Sequence, residues 1–242
     1  MNLYKAELKV KSALGTELAA DTMLGHICWY MYYKYGEEHL QKFLAAMDSP
    51  TPPLILSDPF PSGFLPVPVI VGLTEKNIND SAKDIAKQKL ISKELFAHFK
   101  DCVSGTAVFE QLKNQKSQEQ SEQHSDKKAK KTETALMPHN HVNRLGGGTV
   151  EGGVFFTEER FFAADKNVFD MYVLSEKLNE KEFEEMLKSA LKGGYGRDKS
   201  TGKGVIEVIS VKPASLPKAD QPNAVMLLGP CTPAANDPAQ GF

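Results

Sequence analysis

The order in which periodic segments follow one another limits the possible folds of this chain more than any single motif does. Residues 3–10 alternate polar and apolar side chains, which is typical of a strand with one buried face. A helical pattern comes next, then two strand-like runs, a second amphipathic helix and a last strand. Asn179, with Glu182 three residues later, predicts a capping box at the start of the second helix. The six segments cover residues 3–10, 21–35, 153–162, 168–174, 179–191 and 204–211. Their order predicts an α+β, ferredoxin-like (RRM-like) fold of the β-α-β-β-α-β type, the layout of RNA-recognition domains.

The first predicted helix carries unusually many aromatic side chains. Leu24, Ile27 and Met31 recur at the spacing of one helical face. Its rings belong to Trp29, Tyr30, Tyr32, Tyr33 and Tyr35. This much aromatic area predicts that the helix is packed against other groups on more than one side. Asp21-Thr22 is predicted to cap its start, and residues 37–47 form a second helical segment.

A long insertion, residues 49–150, interrupts this order between the first helix and the second strand. Ordinary connections are far shorter, so the insertion is expected to have a job of its own. It begins with a stiff, proline-rich stretch that contains a strand candidate at 54–58, and residues 80–100 are mostly helical in pattern. Residues 111–134 have almost no large apolar side chain and are predicted to be disordered.

Composition limits the partners and the compartment. The 242 residues carry a net charge of −2, so any contact with nucleic acid has to use a local basic patch. The three cysteines lack CxxC spacing, which indicates reduced thiols in a cytoplasmic protein. His98 and Cys102 are four residues apart, but two ligands do not make a metal site, and we expect neither a metal nor a cofactor. No apolar run approaches the roughly 20 residues that span a membrane, and we expect no membrane partner.

Residues 193–204 (GGYGRDKSTGKG), here called the glycine loop, contain the densest functional chemistry of the chain. Five glycines let the backbone turn and approach another molecule closely. Amides, two hydroxyls and three cations suit a phosphate chain, and Tyr195 can stack on a base. A long flexible hairpin is the alternative. The cations are Arg197, Lys199 and Lys203.

The glycine loop matches neither of two familiar nucleotide-binding motifs. A P-loop has four residues between its first glycine and Gly-Lys, whereas five separate Gly196 from Gly202 here. A P-loop also leaves a strand and opens a helix, and this loop does the reverse. The dinucleotide pattern fails because Lys199 stands where its third glycine would fall.

A second polar cluster lies at 137–149, beside a triple glycine. It brings together Asn140, His141, Asn143 and Arg144. A loop that only connected two strands would not need these side chains, so they favour a binding role, although plain surface loops also carry such clusters.

Four stretches of the sequence resemble the subunit four group of Csm complexes, which belongs to the RAMP (repeat-associated mysterious protein) superfamily. They are DTMLGHICW (21–29), SDPFP and LPVP (57–61 and 65–68), HNHVNRLGGGT followed by EGGVFF (139–149 and 151–156), and the glycine loop before a strand. The likeness covers most of residues 1–230 outside the stretch predicted to be disordered. These segments in this order are a more specific signal than one glycine loop.

The resemblance implies a non-catalytic subunit of a type III-A CRISPR interference complex, which acts in antiviral defence. It implies binding to the 5′ repeat-derived tag of the guide RNA and contact with the large polymerase-like subunit and a RAMP backbone subunit. The residues that the resemblance places at the RNA are Gly193, Gly194, Tyr195, Gly196, Arg197, Lys199, Ser200, Thr201, Gly202, Lys203, Asn143, Arg144, Thr22, Gly25 and His26.

The same resemblance divides the chain. Residues 1–212 are expected to form the RAMP domain, with residues 49–150 as its insertion. Family members carry a second ferredoxin-like domain, and residues 224–228 resemble its opening strand. Residues 213–242 are therefore expected to be the truncated start of that domain or a C-terminal extension.

Two other functions stay open. One is a metal-independent ribonuclease that processes guide RNA, because related RAMP enzymes use a histidine near the first helix. His26 is suitably placed, and His139 and His141 could act as acid or base. The other is a purely structural scaffold. RNA cleavage that is lost in His26→Ala would indicate the enzyme, and a glycine loop that RNA does not protect would indicate the scaffold.

Overall fold

The computed structural model describes residues 1–68, 88–101, 103–123, 132–222 and 225–231, and its elements follow the predicted order with several additions. In chain order they are β1 (Asn2–Val10), α1 (Ala20–Tyr35), α2 (Glu37–Met47), β2 (Leu54–Leu56), β3 (Phe60–Pro61), β4 (Phe64–Pro66), β5 (Leu90–Ser92), α3 (Lys93–Phe99), α4 (Gly105–Gln123), β6 (Glu133–Val142), β7 (Thr149–Phe161), β8 (Val168–Ser175), α5 (Glu180–Leu191) and β9 (Ile206–Pro213). Within these described ranges, no helix is long and apolar enough to cross a membrane.

An antiparallel sheet with the strand order β2-β8-β1-β9 forms the centre of the fold, and β3 also pairs with β8. Strand β1 pairs with β8 from Asn2 opposite Ser175 to Lys9 opposite Val168. The other edge of β1 pairs with β9, with a register shift between Glu7 and Leu8. The prediction of an α+β fold is confirmed, and the strands of its central sheet are antiparallel.

Helices α1 and α5 pack on one face of this sheet. Strand β1 alternates as its sequence predicts, and Ala6 and Leu8 are buried in the core beneath the two helices. The helices contribute buried side chains at the spacing of one face. These are Met23, Ile27, Phe183 and Leu187.

The two helices are capped in different ways. The predicted capping box at the start of α5 is confirmed, because Asn179 and Glu182 exchange side-chain to backbone hydrogen bonds. The predicted cap of α1 at Asp21 and Thr22 is wrong. Asp58 caps this helix from the insertion instead, and its Oδ1 accepts a hydrogen bond of 2.7 Å from the backbone N–H of Ala20.

The insertion builds a second core on the opposite face of the sheet. Its buried side chains come from β4, β5, α3, α4 and β8: Leu65, Ile91, Phe96, Phe99, Val108, Leu112 and Tyr172. The buried carboxylate of Asp170 joins the two layers. It pairs with Lys5 at 3.2 Å and accepts hydrogen bonds of 3.1 Å from Ser62 and from the backbone N–H of Gly63.

The pairing predicted for the second strand is wrong. Strand β7 covers the predicted strand at 153–162, but it forms a separate two-stranded hairpin with β6 and does not pair with β8. The short strands β2 and β3 occupy the place beside β8. Alternation of polar and apolar residues identifies a strand but does not identify the strand that it pairs with. At this edge of the sheet the core is filled by Leu54 of β2, whose side chain is 1% exposed.

The prediction of disorder over 111–134 is also wrong where the structure describes the chain. Helix α4 extends to Gln123 and β6 begins at Glu133, while residues 124–131 lie outside the described residues. The amino-acid composition of this stretch does not show the long-range contacts that hold α4 against the domain. Leu112 is buried, and Gln115 accepts a hydrogen bond of 2.9 Å from the backbone N–H of Ser92. In the helical stretch predicted at 80–100, residues 80–87 are likewise not described.

The C-terminal stretch returns to this domain. Residues 225–228 do not form the predicted strand, and Ala224 and residues 232–242 lie outside the described residues. Met226 and Leu228 pack against the second core. The backbone carbonyl of Leu228 accepts a hydrogen bond of 2.8 Å from the N–H of Asp58.

The edge position of β2 gives a prediction with a matched control. Leu54→Ala should lower the free energy of unfolding by about 3 kcal/mol, because a core side chain is lost and a cavity remains. Leu136→Ala, on the β6 hairpin, should change it by less than about 0.5 kcal/mol because Leu136 is 67% exposed. Urea denaturation measures both. Equal losses would contradict the observed pairing of β2 with β8.

Candidate nucleic-acid interface

The glycine loop is folded onto the domain at both of its ends. The backbone N–H of Tyr195 donates to the carbonyl of Gly204 at 2.8 Å, and the N–H of Gly204 donates to the carbonyl of Ala13 at 2.9 Å. Residues 199–201 form a single 3₁₀ turn between these anchors. The alternative of a long flexible hairpin does not describe this backbone.

Three glycines are required here by space as well as by conformation. Gly194, Gly196 and Gly204 all have positive φ, which favours glycine. A Cβ on Gly204 would lie 1.9 Å from the carbonyl oxygen of Tyr195, and one on Gly196 would lie 2.6 Å from Cβ of Thr16. These glycines therefore serve the packing of the loop against its own domain.

Tyr195 is an anchor of the loop and not a surface ring. It is 0% exposed, and its hydroxyl donates to the carbonyl of Glu17 at 2.7 Å and accepts from the N–H of Ala19 at 3.0 Å. Burial raises the pKa of this phenol. The prediction that the Tyr195 ring stacks on a base is wrong, because both faces of the ring are covered by protein.

His26 joins helix α1 to the glycine loop. Its ring stacks on that of Tyr195, with centroids 5.3 Å apart, and its Nε2 accepts a hydrogen bond of 3.1 Å from the N–H of Gly196. An imidazole that accepts at Nε2 is neutral there and carries its proton on Nδ1. Desolvation, and then the charge of Lys199, lower the pKa of His26 and favour this neutral form.

The three predicted cations of the loop have different surroundings. Lys203 is only 16% exposed, and its Nζ lies 2.6 Å from Oε1 of the buried Glu159 and 3.2 Å from Asp198. Arg197 is half-exposed, donates to the carbonyl of Glu158 at 3.1 Å and lies 3.5 Å from Asp198. Lys199 is exposed and has no ion-pair partner among the residues that the structure describes. Arg197 and Lys199 therefore present the outward charge.

The hydroxyls and the outer glycines of the loop are exposed to solvent. Ser200, Thr201 and Gly202 are exposed, as is Gly193, whereas Gly194 is buried. The Thr201 hydroxyl already donates to the carbonyl of Asp198 at 2.8 Å. The structure thus divides the predicted contact residues into an outer set that solvent reaches and an inner set that holds the loop.

Helix α1 presents an exposed aromatic face beside the loop. Trp29 and Tyr33 are 59% and 78% exposed, and therefore much of the aromatic area from which packing on more than one side was predicted faces solvent. Thr22 and Gly25 lie on the same side of α1 as His26. A Cβ on Gly25 would meet nothing within 4 Å, so this glycine weakens the helix by about 1 kcal/mol with no packing reason inside the protein.

Asn143 and Arg144 do not join this cluster. They lie in the turn of the β6–β7 hairpin, where Oδ1 of Asn143 accepts hydrogen bonds from Leu145 and Gly146 and shapes the turn. Eight residues separate Asn143 from Ala135, which pairs with Glu159 at the base of the hairpin. At roughly 3.3 Å per residue, the turn is about 25 Å further along the hairpin.

The segment between β1 and α1 is the part of the site that sequence reasoning missed. Oγ1 of Thr16 accepts a hydrogen bond of 2.9 Å from the N–H of Arg197. Glu17 pairs with Arg160 at the base of the hairpin. Together they line a cleft of about 320 Å³ beside Arg197. No local pattern marks Thr16, because its partner lies far away in the sequence.

No group of three or more histidine, cysteine, aspartate or glutamate side chains within the described ranges is arranged to hold a metal ion. The neutral imidazole of His26 and the paired cation of Lys203 belong to a hydrogen-bonded framework. The groups that face solvent beside this framework are the loop backbone at 199–202, the cations of Arg197 and Lys199, and the aromatic rings of α1.

Several solved structures have chains that are similar in fold to this one. A chain in the crystal structure of a Csm1–Csm4 cassette in complex with AMPPNP matches with a TM-score of 0.50 and 18% identity, over 79% of this chain and 66% of that chain. A chain of a Csm1–Csm4 cassette in complex with cA4 matches with a TM-score of 0.49 and 18% identity, over 78% of this chain and 65% of that chain. A chain of the type III-B Cmr-beta complex bound to cognate target RNA matches with a TM-score of 0.45 and 9% identity, over 87% of this chain and 60% of that chain.

This chain thus spans slightly less than two thirds of the Csm1–Csm4 cassette chain that it matches. No protein-family model matches the sequence, and a search of curated proteins found no match. At 18% identity the likeness is one of fold. It agrees with the sequence resemblance to the Csm subunit four group and confirms that resemblance at the level of the fold.

The close packing of Gly204 gives a prediction for the loop. Gly204→Ala should lower the free energy of unfolding by on the order of 4 kcal/mol, because its Cβ would collide with the backbone of Tyr195. Gly202→Ala also introduces a side chain at positive φ, but into open space, and should cost about 1 kcal/mol. Thermal or urea unfolding measures both. A similar small cost at the two positions would contradict the anchored loop.

Proposed function

We propose that this chain is a non-catalytic RNA-binding subunit of a type III-A CRISPR interference complex. On this proposal residues 1–212 are a ferredoxin-like RAMP domain that works in the cytoplasm, and the glycine loop holds the 5′ repeat-derived tag of the guide RNA. The sequence resemblance and the likeness of fold to a chain of the Csm1–Csm4 cassette support the assignment.

The observation that carries the proposal is the division of the glycine loop into an anchored inner part and an exposed cationic edge. Tyr195 and Gly204 fix the backbone, while Arg197 and Lys199 face solvent. A loop that is already ordered loses little conformational entropy when it binds a phosphate chain. Arg197 can also bind a phosphate with two parallel hydrogen bonds.

The chain's net charge fits a local contact. With a net charge of −2 the chain as a whole does not attract a polyanion, so binding of RNA has to use a local basic edge. Phosphate contacts then set the register of the strand, and contacts to unstacked bases supply sequence preference. A subunit that binds one fixed tag needs this arrangement.

The partners belong to the same proposal. One structural neighbour comes from a cassette of Csm1 and Csm4. A chain of this fold in a Csm complex is expected to contact the large polymerase-like subunit and a RAMP backbone subunit. The β6–β7 hairpin, with the exposed side chains of Val154, Phe155 and Phe156, offers apolar surface for such contacts.

The ribonuclease alternative is weakened by the geometry of His26. A general base needs a free ring nitrogen within reach of the hydroxyl that it deprotonates. Nε2 of His26 is already the acceptor for Gly196, and the ring is stacked on Tyr195. His139, the proposed helper, lies on β6, where its Nε2 is 2.8 Å from the hydroxyl of Thr157. We infer that His26 positions the loop.

Removing the two exposed cations tests the proposal. Arg197→Ala/Lys199→Ala should weaken binding to RNA that carries the 5′ repeat tag about tenfold and reduce the slope of log K against log salt by about 1.4, since about 0.7 is lost per phosphate contact. Fluorescence anisotropy at several salt concentrations measures both. Lys203 stays unchanged in this variant because its loss would leave the buried carboxylate of Glu159 unpaired.

A matched control removes the same charge elsewhere. Lys177 and Lys181 are exposed at the start of α5, at the end of that helix away from the glycine loop. Lys177→Ala/Lys181→Ala should leave affinity and slope unchanged. An equal effect of the two double variants would reject the loop as the binding site. Cleavage of the tagged RNA by the wild type that is lost in His26→Ala would replace the proposal with the ribonuclease.

A further inference from the structure

We propose that the exposed rings of α1 are a base-stacking platform that continues the RNA path beyond the glycine loop. This platform, the aromatic stripe, consists of Trp29, Tyr32 and Tyr33. The inference rests on the proposed function and adds to it a second kind of contact, which is uncharged and made to bases. The observation that supports it is a row of solvent-exposed rings on α1, which begins one helical turn from His26, the residue that contacts the glycine loop.

The rings of the stripe do not take part in the packing of the domain. Trp29 and Tyr33 are 59% and 78% exposed, and Tyr32 is also exposed. Trp29 stacks on Tyr33 with centroids 5.6 Å apart and an angle of 24° between the planes, and Tyr32 meets both rings edge-on. The three side chains order one another and leave ring faces open to solvent, so the platform exists before any ligand binds.

The stripe is continuous with the glycine loop along one side of the helix. Thr22, His26, Trp29 and Tyr33 recur at the spacing of one face, so they form a line about 16 Å long at 1.5 Å per residue. His26 touches the loop through Gly196 and lies close enough to Lys199 for its charge to act on the imidazole. A strand whose phosphates meet Arg197 and Lys199 can therefore lay its next bases on the rings.

Gly25 supplies a second, independent observation. It lies four residues before Trp29, and its missing side chain leaves open space on the same side of α1. Glycine weakens a helix, and nothing inside the domain requires it at this position. An external group that comes close to the backbone beside the indole does require it. A flat base next to Trp29 fits this space.

The chemistry of the face favours RNA over a protein partner. The exposed side of α1 from Gly25 to Tyr33 offers rings and no aliphatic side chain, and one end of it meets the outward cations of the loop. Single-stranded nucleic acid is held by this combination, because every base has a ring face and every nucleotide a phosphate. Aromatic side chains also occur at the core of protein interfaces, so the loop cations at the end of the row of rings are the feature that favours RNA.

Trp29 is the only tryptophan in the sequence, so its emission reports on the stripe alone. Titration of the full chain with RNA that carries the 5′ repeat tag should quench this emission, with the midpoint that anisotropy gives. Trp29→Leu should weaken binding about tenfold and leave the salt slope at the wild-type value, because stacking releases no counterions. Arg197→Ala/Lys199→Ala has the opposite signature, a reduced slope with quenching retained at saturation.

Two further variants separate stacking from damage to the helix. Gly25→Gln fills the open space, is expected to raise the melting temperature and should still weaken RNA binding severalfold. Tyr35→Leu removes an exposed ring of the same helix that lies off the stripe and should bind RNA as the wild type does. Circular dichroism checks that each variant is folded.

The outcomes distinguish this inference from the proposed function. If RNA binds with its full salt slope while the emission of Trp29 and the affinity of Trp29→Leu are unchanged, the stacking platform is rejected and the RNA-binding function stands. If Trp29→Leu binds RNA normally but fails to join another Csm subunit, the stripe is a protein-docking surface and the inference is wrong. If tagged RNA does not bind the wild type at all, both proposals fail.

Discussion

The buried hydroxyl of Tyr195 is the interaction on which the rest of the candidate site depends. It donates to Glu17 and accepts from Ala19, and so fixes the glycine loop to the segment that leads into α1. A buried hydroxyl without these partners would cost about 1–3 kcal/mol, which makes the pairing obligatory. Together with the hydrogen bonds of Gly204, Gly196 and Arg197, this side chain holds the loop backbone against the segment that leads into α1.

The three cations of the glycine loop point in different directions. Lys203 points inward and neutralises the buried carboxylate of Glu159, whereas Arg197 and Lys199 point outward. An inward lysine stabilises the base of the β6–β7 hairpin, and an outward one is available to a phosphate. The same three cations look equivalent in the sequence. Their division follows from which backbone positions the glycines allow to turn.

Local features of the fold were predictable from the sequence, and long-range contacts were not. The capping box of Asn179 and Glu182 was predicted correctly because it involves only residues within one turn of the helix start. Tyr195 finds its partners 178 and 176 positions away, so its residue type suggested a surface ring where the fold makes it an anchor. The pairing of β2 with β8 and the burial of α4 depend in the same way on contacts that no local period records.

Amide hydrogen exchange of the glycine loop, without and with tagged RNA, tests the central claim most directly. The account predicts slow exchange at Tyr195 and Gly204 in both states, because their N–H groups are bonded within the protein. Fast exchange is expected across residues 198–200 in the free protein, and slow exchange there with RNA. A loop that exchanges freely throughout in the absence of RNA, or residues 198–200 that saturating RNA leaves unprotected, would contradict this expectation.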